Sequence, residues 1–308
     1  MKFSVLIAAY KAERTLAAAV ESALAQTYRP HEVIVVDDCS PDEQAGVASS
    51  FGDRIIYLHR VVNGGEGAAK NSGVELATGD YVVILDADDT WMPQRLERIA
   101  EALCTEPCMD IVTTDATVVL DGKPVRSYYE SVRWSNDQRR DILAGNFVFS
   151  HAAVRRSRWQ SVGGMPEDRF CCADWPLWVK LIFTGSKVGL VPEQLVAYNI
   201  HADSLSASIT TNLRTAVVAM SQLERLPGVS QEELAVAADL KRRAKLQIEH
   251  VLLMSSVYEG SPSRTALLGA ALRGPYRPRG RVGMLARAIA PGMMRRHMRE
   301  HPDIQHRI

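Results

Sequence analysis

Short apolar runs alternate with stretches of helical spacing through the first third of the chain. Residues 4–9 are a mostly apolar run, and residues 12–27 carry Leu16, Val20, Ala23 and Leu24 at the spacing of one helix face. Arg29-Pro30 breaks that face, and residues 32–37 form a second, β-branched run. A helix is expected near 43–51, a strand at 55–58, a loop at Asn63-Gly64-Gly65-Glu66-Gly67, a helix over 68–77 and a strand over 81–85. Strands rich in Val and Ile, separated by helices, predict an α/β fold with a mostly parallel sheet buried on both faces. From 111 to 129 the pattern changes. Val112-Thr113-Thr114 and Thr117-Val118-Val119-Leu120 precede Asp121-Gly122-Lys123, a turn signal. Residues 146–155 read as another strand and 174–184 as a helix. Beyond about 208 only helices are expected, with Leu240, Ala244, Ile248, Val251 and Leu252 on one stripe.

Parallel sheets bind ligands beyond the carboxyl ends of their strands. Here the first strand ends in Ala8-Ala9-Tyr10, the second in Asp37-Asp38-Cys39-Ser40, and the fourth in Asp86-Ala87-Asp88-Asp89. Asp86, Asp88 and Asp89 repel one another unless a cation or hydrogen-bond donors compensate. An Asp-x-Asp pair offers hard oxygen ligands to Mg²⁺ or Mn²⁺. The same acids, with Thr90, also suit a helix start. The second acidic strand end beside them favours the metal. Asp37 and Asp38 fit either hydrogen bonds to a nucleoside or a cap before Pro41. Gly64-Gly65-Glu66-Gly67 is neither a dinucleotide fingerprint nor a P-loop, and reads as a turn whose following helix carries Lys70 and Asn71. Asp174, among Cys171-Cys172-Ala173 and Trp175-Pro176-Leu177-Trp178, suits an N-cap as well as a general base in a partly dry cleft. His201 by itself is an ordinary histidine.

Composition narrows the class. The 308 residues suit one large domain or two ordinary ones. With 46% apolar and 23% charged residues the chain is neither disordered nor a disulfide miniprotein. No run of about 18 uncharged apolar residues occurs, so no transmembrane helix is expected. The first run reaches Lys11 and Glu13 at once, and reads as a buried strand rather than a signal peptide. Cys39, Cys104, Cys108, Cys171 and Cys172 have no metal-site spacing, and an odd count without an export signal suggests free thiols in a reducing cytosol. Net charge is zero, yet from residue 261 onward ten Arg face two acids, so a tail near +8 follows a body near −8. Val282, Leu285, Ile289 and Met293 keep helical spacing among its arginines. This fits either peripheral contact with an anionic membrane surface or a helix packed on the acidic body. No nucleic-acid module is recognisable, and no nucleic-acid partner is expected.

Taken in order, the segments resemble glycosyltransferase family 2, the inverting GT-A type. The resemblance is carried by residues 4–13 (SVLIAAYKAE), 35–42 (VVDDCSPD), 63–73 (NGGEGAAKNSG) and 77–81 (ATGDY). It continues in 85–89 (LDADD), 162–167 (VGGMPE) and 173–178 (ADWPLW), and runs to about Ser206. It implies a Rossmann-like, mostly parallel GT-A sheet flanked by helices over residues 1–208, with a nucleotide-sugar-binding half (1–110) and an acceptor half (111–208). A helical C-terminal extension with the basic tail would occupy 209–308. It further implies a nucleotide-sugar donor, most commonly a UDP-sugar, and Mn²⁺ or Mg²⁺. By position Ala9, Tyr10, Glu13, Asp38 and Lys70 would hold the base and ribose. Asp86, with Ala87, would reach the ribose or a metal water, and Asp88 would bind the metal. Asp174 would be the catalytic base, and His201, in a Tyr-x-x-His-x-x-Ser pattern, would lie near metal and diphosphate.

Two departures stand out: Ala173 and Pro176 replace acids that usually flank the base. The Gln-x-x-Arg-Trp motif of processive members is absent, so transfer of a single sugar is expected. The acceptor would be a glycan or lipid-linked sugar in polysaccharide or cell-envelope synthesis, on the cytoplasmic side and peripheral to the membrane. A decayed nucleotide-sugar-binding module and a sugar-phosphate nucleotidyltransferase are the alternative functions. The latter would need an early Gly-rich, Arg-Lys-containing loop that this sequence lacks.

Overall fold

The computed structural model describes residues 1–130, 132, 135–201 and 208–259, with backbone alone beyond residue 252. The basic tail expected at 261–308 lies outside the described residues. Nine strands form one sheet: β1 (Phe3–Ala9), β2 (Glu32–Asp37), β3 (Ile56–His59), β4 (Tyr81–Asp86), β5 (Thr90–Trp91), β6 (Ile111–Leu120), β7 (Lys123–Ser127), β8 (Ala153–Arg155) and β9 (Val188–Ile200). Their order is β3-β2-β1-β4-β8-β6-β9-β5, with β7 on β6. The first four strands are parallel, as their apolar runs predict. β8 then runs antiparallel between β4 and β6, β9 is parallel to β6, and β5 and β7 are antiparallel edges, so the whole sheet is mixed.

The helices are α1 (Leu16–Leu24), α2 (Gln44–Ser49), α3 (Glu66–Leu76), α4 (Arg95–Thr105), α5 (Gln138–Ala144), α6 (Arg156–Ser161), α7 (Asp174–Phe183), α8 (Ile209–Leu223) and α9 (Gln231–Glu259). Alternation along β1 divides the core between the two sheet faces. Phe3, Val5 and Ile7 meet Leu16 and Val20 of α1 and Leu96 and Ile99 of α4. Leu6, with Ile34 and Val36 of β2, meets Ala69 and Val74 of α3 and Leu177, Trp178 and Leu181 of α7. Each such buried aliphatic side chain is worth about 2 kcal/mol. α8 lies against α7 and α9 through Ala219, Met220, Leu223 and Ala237. No described helix is long and apolar enough to cross a membrane.

Several elements differ from the sequence reading, because side chains or neighbouring strands compete for the backbone groups. α1 is shorter than 12–27: the Lys11, Ala12 and Glu13 N–H groups are taken by Ser40, Gln44 and Asp42 at 2.8, 3.1 and 3.0 Å. Residues 146–155 are strand only at β8. The buried stretch before it bonds instead to side chains: the Tyr129 hydroxyl takes Phe147 O and the Phe149 N–H, and Arg95 takes His151 O. Thr90 starts no helix; with Trp91 it pairs to Val196 and Ala197 of β9, and α4 begins at Arg95. The two runs 112–114 and 117–120 are one strand, β6. Its hairpin to β7 turns at Asp121-Gly122, whose φ values of 49° and 74° suit a two-residue turn.

Gly67, in the first turn of α3, has no room for a side chain, because a Cβ there would stand 2.0 Å from the Pro166 carbonyl oxygen. That atom is backbone, so the 163–167 loop would have to shift. Gly67→Ala is expected to destabilise the fold by about 2 kcal/mol, read as a Tm several degrees lower. A Tm equal to the parent's would show that the loop yields freely.

Candidate active site

The carboxyl ends of β1, β2 and β4 open into a cleft of about 1500 Å³. Register explains why the acids gather there. β1 pairs with β2 on one side and β4 on the other, placing Ala9 opposite Asp37 and Ala8 opposite Asp86. Ala9, Tyr10, Glu13, Asp38, Lys70, Asp86, Ala87, Asp88, Asp174 and His201 all line this one cleft.

The wall beyond β1 and β2 is a polar lacing. Lys11 and Cys39 hold φ of 55° and 59°, a left-handed backbone that costs of order 1 kcal/mol or more for residues with side chains. The Ser40, Asp42 and Gln44 bonds to 11–13 keep Lys11 in place, and Gln44 also donates to Ala9 O at 3.3 Å. Tyr10 stands half-exposed at the mouth, with Lys11 Nζ 5.3 Å from its ring centre. Asp38 is neither a cap nor an open carboxylate. It accepts from the Gly64 and Gly65 N–H groups at 3.0 and 2.7 Å and pairs with Arg60, so it anchors the glycine loop. Asp37 is likewise committed, to Tyr57, His59 and the Ser40 N–H.

The centre of the cleft is built on a buried cation. Lys70 has no exposed surface; its Nζ lies 2.8 Å from Asp86 Oδ1 and 2.5 Å from Glu66 Oε1. Burial opposes its charge, but Asp86 and Glu66 outweigh burial and keep it protonated above the ordinary lysine range. Reciprocally, burial would raise Asp86, but Lys70 and then His151 hold it well below the ordinary carboxylate range. His151 was not anticipated from sequence, because it falls in the stretch read as strand. Its Nδ1 accepts from the Trp91 indole at 3.2 Å, which assigns the proton to Nε2. That Nε2 contacts Asp89 at 2.8 Å and Asp86 at 3.3 Å, off the line of a straight hydrogen bond to either. Asp89 also accepts from the Asn199 N–H at 2.6 Å.

Among the described residues, Asp86, Asp89 and His151 form a cluster with the spacing of a metal site. Lys70, Asn199 and Trp91 bond Asp86 Oδ1, Asp89 Oδ1 and His151 Nδ1, whereas the atoms that face one another, Asp86 Oδ2, Asp89 Oδ2 and His151 Nε2, could hold a metal once Nε2 gives up its proton. Asp88 is different. No side chain among the described residues pairs with its carboxylate. Burial, followed by Asp89 and Asp86, pushes it up to about 6. A cleft-lining carboxylate crowded by like charges is where a divalent cation would be favoured. His201, just past β9, is exposed on the same cleft.

Asp174 is the first residue of α7, not its cap, which is Ala173. Its Oδ2 accepts from Asn146 Nδ2 at 2.8 Å. Burial, then the Glu66 charge, pushes it up to about 6, against the pull of the Trp175 N–H, Lys70 and Asn146. Besides His151, two more residues of this site carried no sequence signal of a role. Asn146 sits in the misread loop. Glu66 was visible only as part of a glycine-rich turn.

The cleft thus lies at a parallel strand edge of an α/β sheet and holds an acid cluster and a separate buried carboxylate. The profile of Glycosyl transferase family 2 matches residues 4–159, and the chain belongs to that family. An uncharacterized glycosyltransferase of Nostoc sp. (strain PCC 7120) is 39% identical over 234 residues, covering 70% of each chain. The UDP-Glc:alpha-D-GlcNAc-diphosphoundecaprenol beta-1,3-glucosyltransferase WfaP of Escherichia coli is 27% identical over 216 residues, 67% of this chain and 80% of WfaP. The crystal structure of S. aureus TarS 1-349 in complex with UDP-GlcNAc matches with a TM-score of 0.67 at 16% identity, over 96% of this chain and 89% of that one. The fold is thus the GT-A arrangement, and the protein is a glycosyltransferase rather than a nucleotidyltransferase.

Removing the cation while leaving its acids in place is the sharpest check on this centre. Lys70→Met is expected to cost about 3 kcal/mol, because Asp86 and Glu66 would lose the charge that offsets their burial. Urea unfolding at pH 7 measures it. A loss below about 0.5 kcal/mol would mean that water reaches these acids.

Proposed function

We propose that this chain is a metal-dependent, inverting glycosyltransferase that moves one sugar from a UDP-sugar to an acceptor hydroxyl, with Asp174 as general base. The observation that carries the reading is the buried Asp174 carboxylate, oriented by Asn146 on the wall of the cleft that also holds Asp88. A carboxylate pushed up to about 6 is mostly ionised at pH 7 and basic enough to take a proton from a hydroxyl in the transition state. The acceptor oxygen, losing that proton to Asp174, would attack C1 from the face opposite the nucleoside diphosphate, so the anomeric configuration inverts. Ala9, Tyr10, Glu13 and the Asp38-anchored loop would form the wall for base and ribose. Lys70 and Asp86 would fix the donor end, with Ala87 the small residue between the acids.

Asp88 would hold Mn²⁺ or Mg²⁺, with His201 as the second ligand. The metal would offset the negative charge on the leaving diphosphate. The E. coli relative is named for a lipid diphosphate acceptor. We extend to this chain a glycan or lipid-linked acceptor in cell-envelope polysaccharide synthesis. Residues 1–110 would serve the donor and 111–208 the acceptor, on the cytoplasmic face of a membrane touched by the tail beyond 261.

Three measurements test this. Calorimetry with UDP, GDP and dTDP, each with and without Mn²⁺, should show Mn²⁺-dependent binding of UDP, lost in Asp88→Asn. Mn²⁺-independent binding, or no binding of any diphosphate, would remove the donor site as drawn. Asp174→Asn should lower sugar transfer by at least about 10²-fold with UDP affinity within twofold of the parent; equal rates would sink the base assignment. The pH dependence has a definite sign. Because the Asp174 value is raised to about 6 and the base acts deprotonated, turnover should fall as pH drops through about 6. A flat profile from pH 5 to 7 would contradict it.

A further inference from the structure

Two helix N-termini meet at the floor of the cleft. α3 begins at Glu66 and α7 at Asp174, with Ala173 between the strand-side loop and the helix. Ala173 offers no side-chain oxygen to cap α7, and Pro176 removes one N–H from its first turn. The Glu66 carboxylate comes across instead. Its Oε2 accepts the Ala173 N–H at 3.3 Å, while its Oε1 holds Lys70 Nζ at 2.5 Å. One carboxylate therefore bridges the buried cation of the donor side to the helix that presents the base. A negative charge is favoured there by the dipoles of both helices.

We propose that Glu66 is the positioning residue of this site: it ties Lys70 to the first turn of α7 and supplies, from α3, the negative charge beside Asp174 that Ala173 does not provide. The inference rests on Asp174 being the base. The charged and titratable groups around Asp174 are few. α3 contributes Glu66 and Lys70, the Cys172 thiol precedes the helix, and the Tyr128 phenol lies after β7. The Cys171 thiol lies one residue further back, the 146–152 loop contributes the neutral Asn146 amide, and α8 the neutral Thr215, which is bonded to the Cys172 N–H. Glu66 is thus the one acid in contact with the base-bearing turn among the described residues. Its charge keeps a proton on Asp174 to a higher pH than burial alone would, consistent with the raised value of that group.

The test needs no substrate. The Asn146 side-chain amide bonds Asp174 directly, so its NMR shift follows the ionisation of that carboxylate; its titration should disappear in Asp174→Asn. In Glu66→Gln, which keeps the size and an oxygen for the Ala173 N–H, the midpoint should fall by about one pH unit. Glu66→Asp, which keeps the charge, should titrate nearer the parent than the Gln variant does. The acid limb of turnover should move with the midpoint, with donor KM changed less than kcat. An unmoved midpoint in a folded Glu66→Gln overturns the proposal, even if its Tm falls, since a merely structural brace would lower Tm alone. Equal midpoints for the Gln and Asp variants overturn it as well. Failure of the glycosyltransfer reading would look different: no turnover in the parent, with the amide titration and its shift intact.

Discussion

A single buried ammonium allows this sheet to end in acids. Lys70 has no contact with solvent, and an isolated charge there would be prohibitively costly. It survives because Asp86 from β4 and Glu66 from its own helix close on it from two directions. The dependence runs both ways for Asp86, whose carboxyl Lys70 holds well below the ordinary range against its burial. Helix α3 must therefore sit low on the sheet to deliver Lys70. Its small first-turn residues permit that: Gly67 and Ala68 face the 163–167 loop and the core, leaving no side chain to hold the helix off. The next residue, Asn71, turns the other way. It exchanges hydrogen bonds with the Met165 N–H and carbonyl at 2.9 and 3.0 Å, and receives the Trp159 indole. Adjacent residues of one helix thus assemble the acid centre and anchor the loop that leads to Asp174.

The acids after β4 divide their labour by what surrounds them rather than by type. Asp86 is neutralised by Lys70. Asp89 is spent on β9 and on His151, and so fixes the turn against a strand more than a hundred residues away. Asp88, between them, has no such partner and is crowded by both neighbours. Burial, followed by the charges of Asp89 and Asp86, raises its value. The same geometry that gives two carboxylates fixed partners leaves the third with none among the described residues. A reading of the Asp-x-Asp-Asp string alone cannot make that distinction.

Much of the fold was legible because its signals are local. Four Val- and Ile-rich runs became β1 to β4 within a residue or two, and their acidic ends mapped to one edge because parallel strands share a direction. What escaped was decided by distant side chains. Residues 146–152 are as apolar as a strand, yet Tyr129 and Arg95 claim their backbone groups, and the turn so formed brings Asn146 to the cleft and His151 against Asp86 and Asp89. No periodicity records the position of a tyrosine hydroxyl some twenty residues upstream. Asp38 differs in the opposite sense. Its place at a strand end was foreseen, but its oxygens turned out to be engaged by Gly64, Gly65 and Arg60. It shapes the wall through the loop it holds.

Ala173 shows why motif spelling and site chemistry can part. Read along the chain, an alanine where an acid usually stands suggests a weakened site. Read in space, position 173 is fully buried, and its N–H already meets the Glu66 carboxylate, which also holds Lys70. A second acid added at 173 would bring another negative charge to a volume holding one cation, and would have to displace the contact between Ala173 and Gly67. Electrostatics at a cleft depend on the sum of nearby charges and on burial, not on which element donates each charge. A carboxylate arriving from α3 can therefore add to the field at Asp174 while holding Lys70, a link that an acid next to Asp174 in sequence would not make.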